Sequence, residues 1–172
     1  GGFDRVYEFA RCFRNEGMDP SHQPDFTMLE FYASYWNYED NMKFTEAMLK
    51  DLLQKVNGGF SVSYQGTGIS FEGDWPRVSF RDLILADSGI DIDLCRDKAS
   101  LQTAVRDKGI DFGGEGVDVA KLSRGGLIDQ LFKKVSRPKI VNPVFVIMHP
   151  AEISPLARRN DRNELVVDRF QL

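Results

Sequence analysis

Near its N-terminal end the chain carries an unusual assortment of reactive side chains: Arg14, Glu16, His22, Phe26, Glu30 and Tyr32. Their spacing matters as much as their identity. Residues 3–14, FDRVYEFARCFR, are rich in Phe, Tyr and Val and read as a strand, and 26–36, FTMLEFYASYW, read as a second. Between them NEGMDPSHQPD holds Gly, Pro, Asn, Asp and Ser and reads as a loop, so the simplest arrangement is an antiparallel pair. Side chains alternate between the faces of a strand. Tyr7, Phe9 and Phe13 then share one face, and Glu8, Arg14 and, if the strand continues, Glu16 share the other. In the second strand Leu29, Phe31 and Ala33 oppose Met28, Glu30, Tyr32 and Ser34.

If the charged faces coincide, Arg14, Glu16, Glu30 and Tyr32 converge on one floor. The alternative is a hairpin with a solvated outer face, which many antiparallel sheets have. Two features favour the floor. Glu30 and Tyr32 sit among large apolar residues, and the loop adds His22 and Phe26, a candidate cation and a candidate stacking ring. A guanidinium offers a rigid fork to phosphate or carboxylate oxygens. An aromatic ring can stack on a base, and a carboxylate with a phenol can hold an ammonium. The floor therefore suits a nucleotide together with a cationic amino acid.

The remaining chain reads as an α+β protein that could position such a floor. Asn37 with Asp40 caps a helix at about 39–56, along which Phe44, Met48, Leu52 and Val56 recur at helical spacing. Gly58 and Gly59 stop it, and 60–65 with 68–72 form a short hairpin turning at Gly66 and Gly68. Ser79 caps a helix to about 88. Further helices fit 97–108, ending at Gly109, and about 117–135, with Gly125 and Gly126 in its middle. VFVIM at 144–148 reads as a strand buried on both faces, and ELVVDRFQL as a last strand cut mid-element. The expected architecture is an antiparallel sheet split by a mostly helical insertion at about 73–138, with core strands resuming near 140.

Bulk properties set limits. The chain has 172 residues, enough for one domain with a sizeable core. Its net charge of −4 argues against a dominant nucleic-acid surface. No apolar run approaches a bilayer span, and no secretory leader is visible. Cys12 and Cys95 are too few for a disulfide framework, and with His22 and His149 they lack metal-ligand spacing. A reducing, cytoplasmic setting is the default. The strand-like opening without an initiator Met suggests a segment of a longer protein. Cys12 reads as a small buried hydrophobe, His149 as structural, and Arg158 with Arg159 as a solvated pair.

FRNEG at 13–17, HQPDF at 22–26 and TMLEFYASY at 27–35 resemble motif 2 of the class II aminoacyl-tRNA synthetases, in the wording of the lysyl enzymes. HPAEISPLARRN at 149–160, leading to DRFQL, is similar to the segment before the last lysine-binding strand of bacterial lysyl enzymes. The resemblance implies a partial class II catalytic core that uses ATP and Mg2+. Lysine would be activated to lysyl-adenylate and transferred to tRNA(Lys). Arg14 would bridge the lysine carboxylate and the α-phosphate, Glu16 would hold the adenine amino group, and Phe26 would stack on the ring. His22 would approach the γ-phosphate, while Glu30 and Tyr32 would hold the ε-ammonium. The Mg2+ carboxylates, the dimer interface and the anticodon-binding domain are expected outside this chain, so the isolated segment should charge little or no tRNA. Ser21 and Gln23 depart from a basic residue and Asn common in relatives, which weakens the triphosphate contacts expected there. Rival readings are the aspartyl/asparaginyl branch, a synthetase-like ligase that attaches lysine to a translation factor, and a non-catalytic interaction module. FRNEGM and SPLARRN favour the tRNA enzyme.

Overall fold

The computed structural model describes residues 2–15, 22–112 and 118–172. The chain forms two compact units, residues 1–41 and 42–172.

The first unit is built on β1 (Arg5–Phe13) and β2 (Asp25–Ala33), an antiparallel pair with unbroken register from Arg5 opposite Ala33 to Phe13 opposite Asp25. Backbone bonds extend the ladder at both ends, from Arg14 N–H to Pro24 C=O (2.9 Å) and from Ser34 N–H to Asp4 C=O (2.8 Å). Pro24 lacks an N–H, so that rung has a single bond, and a further bridge forms at His22. At the other end the Arg5 guanidinium lies 5.1 Å from the Trp36 ring centroid. α1 (Tyr38–Asn57) follows. Asn37 Oδ1 accepts from the N–H groups of Glu39 and Asp40, and the Asn37 N–H donates to Asp40 Oδ2. This reciprocal cap satisfies amides that a helix start would otherwise leave unpaired.

Along α1 the stripe of Phe44, Met48, Leu52 and Val56 is not the buried one. Leu52 and Val56 are 52% and 72% exposed, whereas Met42 is 1% exposed and Leu49 and Leu53 are half-buried. The helix carries two apolar stripes, and periodicity alone could not choose between them. β3 (Ser61–Tyr64) and β4 (Thr67–Ser70) form the expected hairpin. Its turn is Gln65-Gly66, both with positive φ, the combination that matches strand twist; Gly68 pairs within β4 opposite Ser63.

The larger sheet is mixed rather than antiparallel throughout. β5 (Arg77–Ser79) runs parallel to β6 (Phe145–Pro150), which pairs antiparallel with β7 (Val166–Gln171). β5 falls inside the stretch read as mostly helical. It leads directly into α2 (Phe80–Ser88), and the chain returns to β6 only after α3 (Lys98–Asp107) and α4 (Arg124–Val135). A strand that leaves its sheet through helices and re-enters beside itself does so in parallel. Ser79 caps α2 as its sequence suggests, Asp97 caps α3, and Gly89 (φ 71°) closes α2.

α4 begins seven residues later than expected. Ser123 caps it by accepting from the Gly126 N–H. Gly125 and Gly126 therefore occupy the first turn, where their cost to a helix interior does not arise. A Cβ on Gly125 would come 3.0 Å from the Glu152 Cβ and 3.3 Å from the Ile153 Cγ2, so the missing side chain lets α4 meet the 3-10 turn Ala151–Ile153. The core unites Phe80, Ile84, Leu101, Leu127, Leu131 and Val146 with their neighbours on α2, α3, α4 and β6. Phe80 stacks on Phe132 (4.5 Å between centroids).

β6 is irregular. Its register with β7 shifts between Ile147 and His149, and Met148 has φ 53°. His149, 1% exposed, packs against Phe80 (5.2 Å between ring centroids), and its Nε2 donates to Val146 C=O at 3.1 Å.

Candidate functional site

The ladder of the first unit decides which side chains share a face. Residues directly opposite in an antiparallel pair point to the same side, and alternate rungs repeat that side. From the open end inward, one face carries Arg14 beside Pro24, Cys12 opposite Phe26, Ala10 opposite Met28, Glu8 opposite Glu30, and Val6 opposite Tyr32. Arg14, Phe26, Glu30 and Tyr32 thus lie on one surface. The Arg14 guanidinium sits 5.2 Å from the Phe26 centroid, which places these two groups in contact. Phe26 is half-buried; Arg14, Glu30 and Tyr32 are exposed.

His22 is exposed and stands two residues before Pro24. Glu16 lies outside the described residues. Among the described residues, no group of three acids, histidines or cysteines is placed to hold a metal ion.

The opposite face is not purely apolar. It bears Tyr7, Phe9 and Phe13 with Leu29 and Phe31, and it also carries Arg11 and Asp25. Arg11 donates to Asp25 Oδ2 from Nε (3.1 Å) and Nη2 (2.8 Å). Tyr7 and Phe9 meet edge to face at 6.2 Å. Every ionic group at this end of that face has a partner, whereas Glu8 and Glu30 have none among the described residues.

The floor thus has graded chemistry. Its open end pairs a cation with an aromatic ring. Its middle is small and apolar, because Ala10 leaves room opposite Met28. Its far end carries two carboxylates and a phenol. Glu8 was visible in the sequence as a residue on Arg14's side of the strand. Its position directly across from Glu30 depends on the register, which the loop length alone does not give.

Elsewhere, ionisable groups serve the fold. Arg81 grips Asp91 through Nε (2.7 Å) and Nη2, and this hydrogen bonding holds the Asp91 carboxyl below its ordinary range despite partial burial. Backbone bonding from Ser100 likewise lowers Asp97 at the start of α3. Burial raises the Cys95 thiol. Burial, then the charge on Arg169, pushes His149 down to about 4 against the pull of its bond to Val146. Arg158 pairs with Asp161 (2.7 Å), and the Arg159 Nη1 donates to the Glu164 carbonyl.

The sheet-borne floor and the mixed α+β frame belong with a known class. The chain is a member of the tRNA synthetases class II (D, K and N), whose family profile matches residues 1–172. Within that class it is similar to lysine–tRNA ligases. That of Campylobacter jejuni serotype O:2 is 40% identical over 172 residues, covering all of this chain and 33% of the relative. That of Roseiflexus sp. strain RS-1 is 41% identical over 171 residues, covering 99% and 34%, and that of Clostridium botulinum strain Hall is 37% identical, covering 99% and 33%. The chain spans about a third of the length of these curated relatives.

Proposed function

We propose that this chain is the part of a lysine–tRNA ligase that binds ATP and lysine and joins them. The single observation that carries this reading is the common face of Arg14, Phe26, Glu30 and Tyr32. The reaction is attack of a lysine carboxylate oxygen on the α-phosphorus of ATP. The bond to the β-phosphate bridging oxygen breaks, leaving lysyl-adenylate and pyrophosphate. Transfer of the lysyl group to a tRNA terminal ribose follows and releases AMP.

Adenylation needs no strong protein base, because the carboxylate is already an anion. It needs two negative groups brought together, and Arg14 suits that task. Its guanidinium can donate to the lysine carboxylate and the α-phosphate at once, offsetting their repulsion and fixing the line of attack. Phe26 provides the stacking surface for adenine. The present contact between Arg14 and that ring is worth about 0.5–1 kcal/mol at an exposed site. Stacking a base is worth roughly 1–3 kcal/mol, so ATP can displace the guanidinium from the ring toward the phosphates at net gain. His22 would reach the γ-phosphate and Glu16 the adenine amino group, extending the nucleotide end. Glu30 and Tyr32 take the ε-ammonium. Mg2+ assists such reactions by neutralising phosphate charge when bound, and the described residues offer it no acidic cage. The dimer interface and anticodon recognition would lie in other parts of the protein.

The family also serves aspartate and asparagine. An acidic far end disfavours an aspartate side chain by like-charge repulsion and gives asparagine no counter-charge to satisfy, which supports lysine. The test is amino-acid-dependent ATP–pyrophosphate exchange by the full-length protein. Lysine should drive exchange, and aspartate and asparagine should not. Glu30→Gln should raise KM for lysine about tenfold or more while leaving KM for ATP unchanged, the loss of one charge-assisted hydrogen bond. Exchange driven by aspartate, or equal loss of both substrates in Glu30→Gln, would refute the assignment.

A further inference from the structure

The geometry points to Glu8 as a second specificity-determining carboxylate of the floor, sharing the substrate ammonium with Glu30. This rests on the adenylation reading above and extends it to a residue that reading does not use.

Glu8 and Glu30 occupy the same rung of the β1–β2 ladder, so their side chains leave the sheet on the same side. The rung is a hydrogen-bonded one, in phase with the Arg14–Pro24 and Asp4–Ser34 bonds. Like charges directly opposite destabilise a strand pair. Neither acid has a compensating cation among the described residues. The same hairpin shows that cations are at hand: on the other face Arg11 is matched to Asp25. Arg11 and Asp25 are thus paired across one face, whereas Glu8 and Glu30 stand opposite each other on the face that bears Arg14, Phe26 and Tyr32.

The placement along the floor fits an amino acid with a cationic tail. From the Arg14 rung to the Glu8 rung is roughly 20 Å of strand at ~3.3 Å per residue. An arginine side chain leaning from one end and a glutamate from the other leave a gap between them, floored by Ala10 and Met28. Lysine has a carboxylate for the first, an aliphatic stem for the gap and an ammonium for the second. One carboxylate would bind that ammonium adequately. Two, flanking it from adjacent strands, reject a neutral stem of the same length, because an unfilled site returns to the unrelieved like-charge pair. Glu8 thus acts on selectivity more than on the reacting atoms.

The experiment uses the full-length protein and ATP–pyrophosphate exchange with L-lysine and L-norleucine, a neutral analogue of similar length. Glu8→Gln removes a repulsion rather than a contact, so folding should be preserved, and a melting curve checks this. KM for lysine should rise about tenfold, with kcat and KM for ATP unchanged. The preference for lysine over norleucine should fall by a similar factor, and Glu8→Asp should recover part of it. Unchanged lysine KM and unchanged discrimination in Glu8→Gln, beside a clear lysine defect in Glu30→Gln, would overturn the role of Glu8 and leave the reading of the site intact. If Glu30→Gln also behaves as the unmodified protein, the site reading itself fails.

Discussion

The β1–β2 hairpin and the helical core of the second unit treat their polar groups in opposite ways. In the core, Arg81 is paired with Asp91, His149 is hydrogen-bonded, and among the described residues one buried side-chain polar atom, Ser136 Oγ, lacks a partner. In the hairpin, two carboxylates face each other without a counter-charge among the described residues, and Tyr7, Phe9 and Phe13 are more than 70% exposed. A sequence optimised only for stability would correct both features. The core is organised to fold, and the hairpin is organised to meet something else. Stability and binding are therefore separable here by region, and substitutions can test that division.

The largest expected effect comes from Arg14. Arg14→Ala in the full-length protein should lower adenylate formation by about a hundred- to a thousandfold, the loss typical of a donor aimed at developing charge, while leaving the melting temperature unchanged. Leu131→Ala is the mirror image. This residue is fully buried in the core. Its truncation should cost about 2–5 kcal/mol of stability, read by urea denaturation, with KM values for lysine and ATP retained in the folded fraction. If Arg14→Ala melted early, or Leu131→Ala selectively lost lysine, the division between regions would be wrong.

A smaller effect concerns pH. The His149 ring is held near 4, against 6.5 for an unconstrained imidazole. An unfolded chain takes up a proton on this residue as pH falls through 6.5, and the folded chain resists until about 4. The contribution of His149 to stability is thus complete above pH 6.5 and lost progressively down to pH 4, on the order of 3 kcal/mol in all. His149→Gln should flatten that part of the profile. Melting temperatures that fall in parallel for both proteins between pH 6.5 and 4 would remove His149 from the account. The smallest effect is at Met148, 43% exposed with positive φ. Met148→Gly should change stability by less than about 1 kcal/mol, because relief of backbone strain offsets the greater freedom of an unfolded glycine. Met148→Val, branched at a position needing positive φ, should cost clearly more.

How far the sequence alone disclosed this organisation differs by element. The two faces of each strand were legible because strand alternation is a strict rule, but whether the Arg14 face and the Glu30 face coincide was not, since that depends on the register. The caps at Asn37 and Ser79 were legible for a similar reason, since a short polar side chain just ahead of an apolar-periodic run has one good use there. The start of α4 was hidden because Ser123 competes with other polar residues upstream, and two glycines read as an interior flaw rather than as a close approach to Ala151–Ile153. The buried side of α1 was hidden because both of its stripes are apolar. The parallel partner of β5 was hidden because three residues give little periodicity, and pairing with a strand more than sixty positions away leaves no local trace.

The left-handed step at Met148 also governs something larger than its own strain. In a regular strand, residues three apart point to opposite sides, so Val146 and His149 could not both look toward α2. The kink turns the imidazole round to join Val146 against Phe80. A single backbone torsion thereby decides whether the sheet hides a proton acceptor or displays one to the surrounding water. A strand straightened at that point would gain a pH-responsive surface group and lose a wedge from its interior.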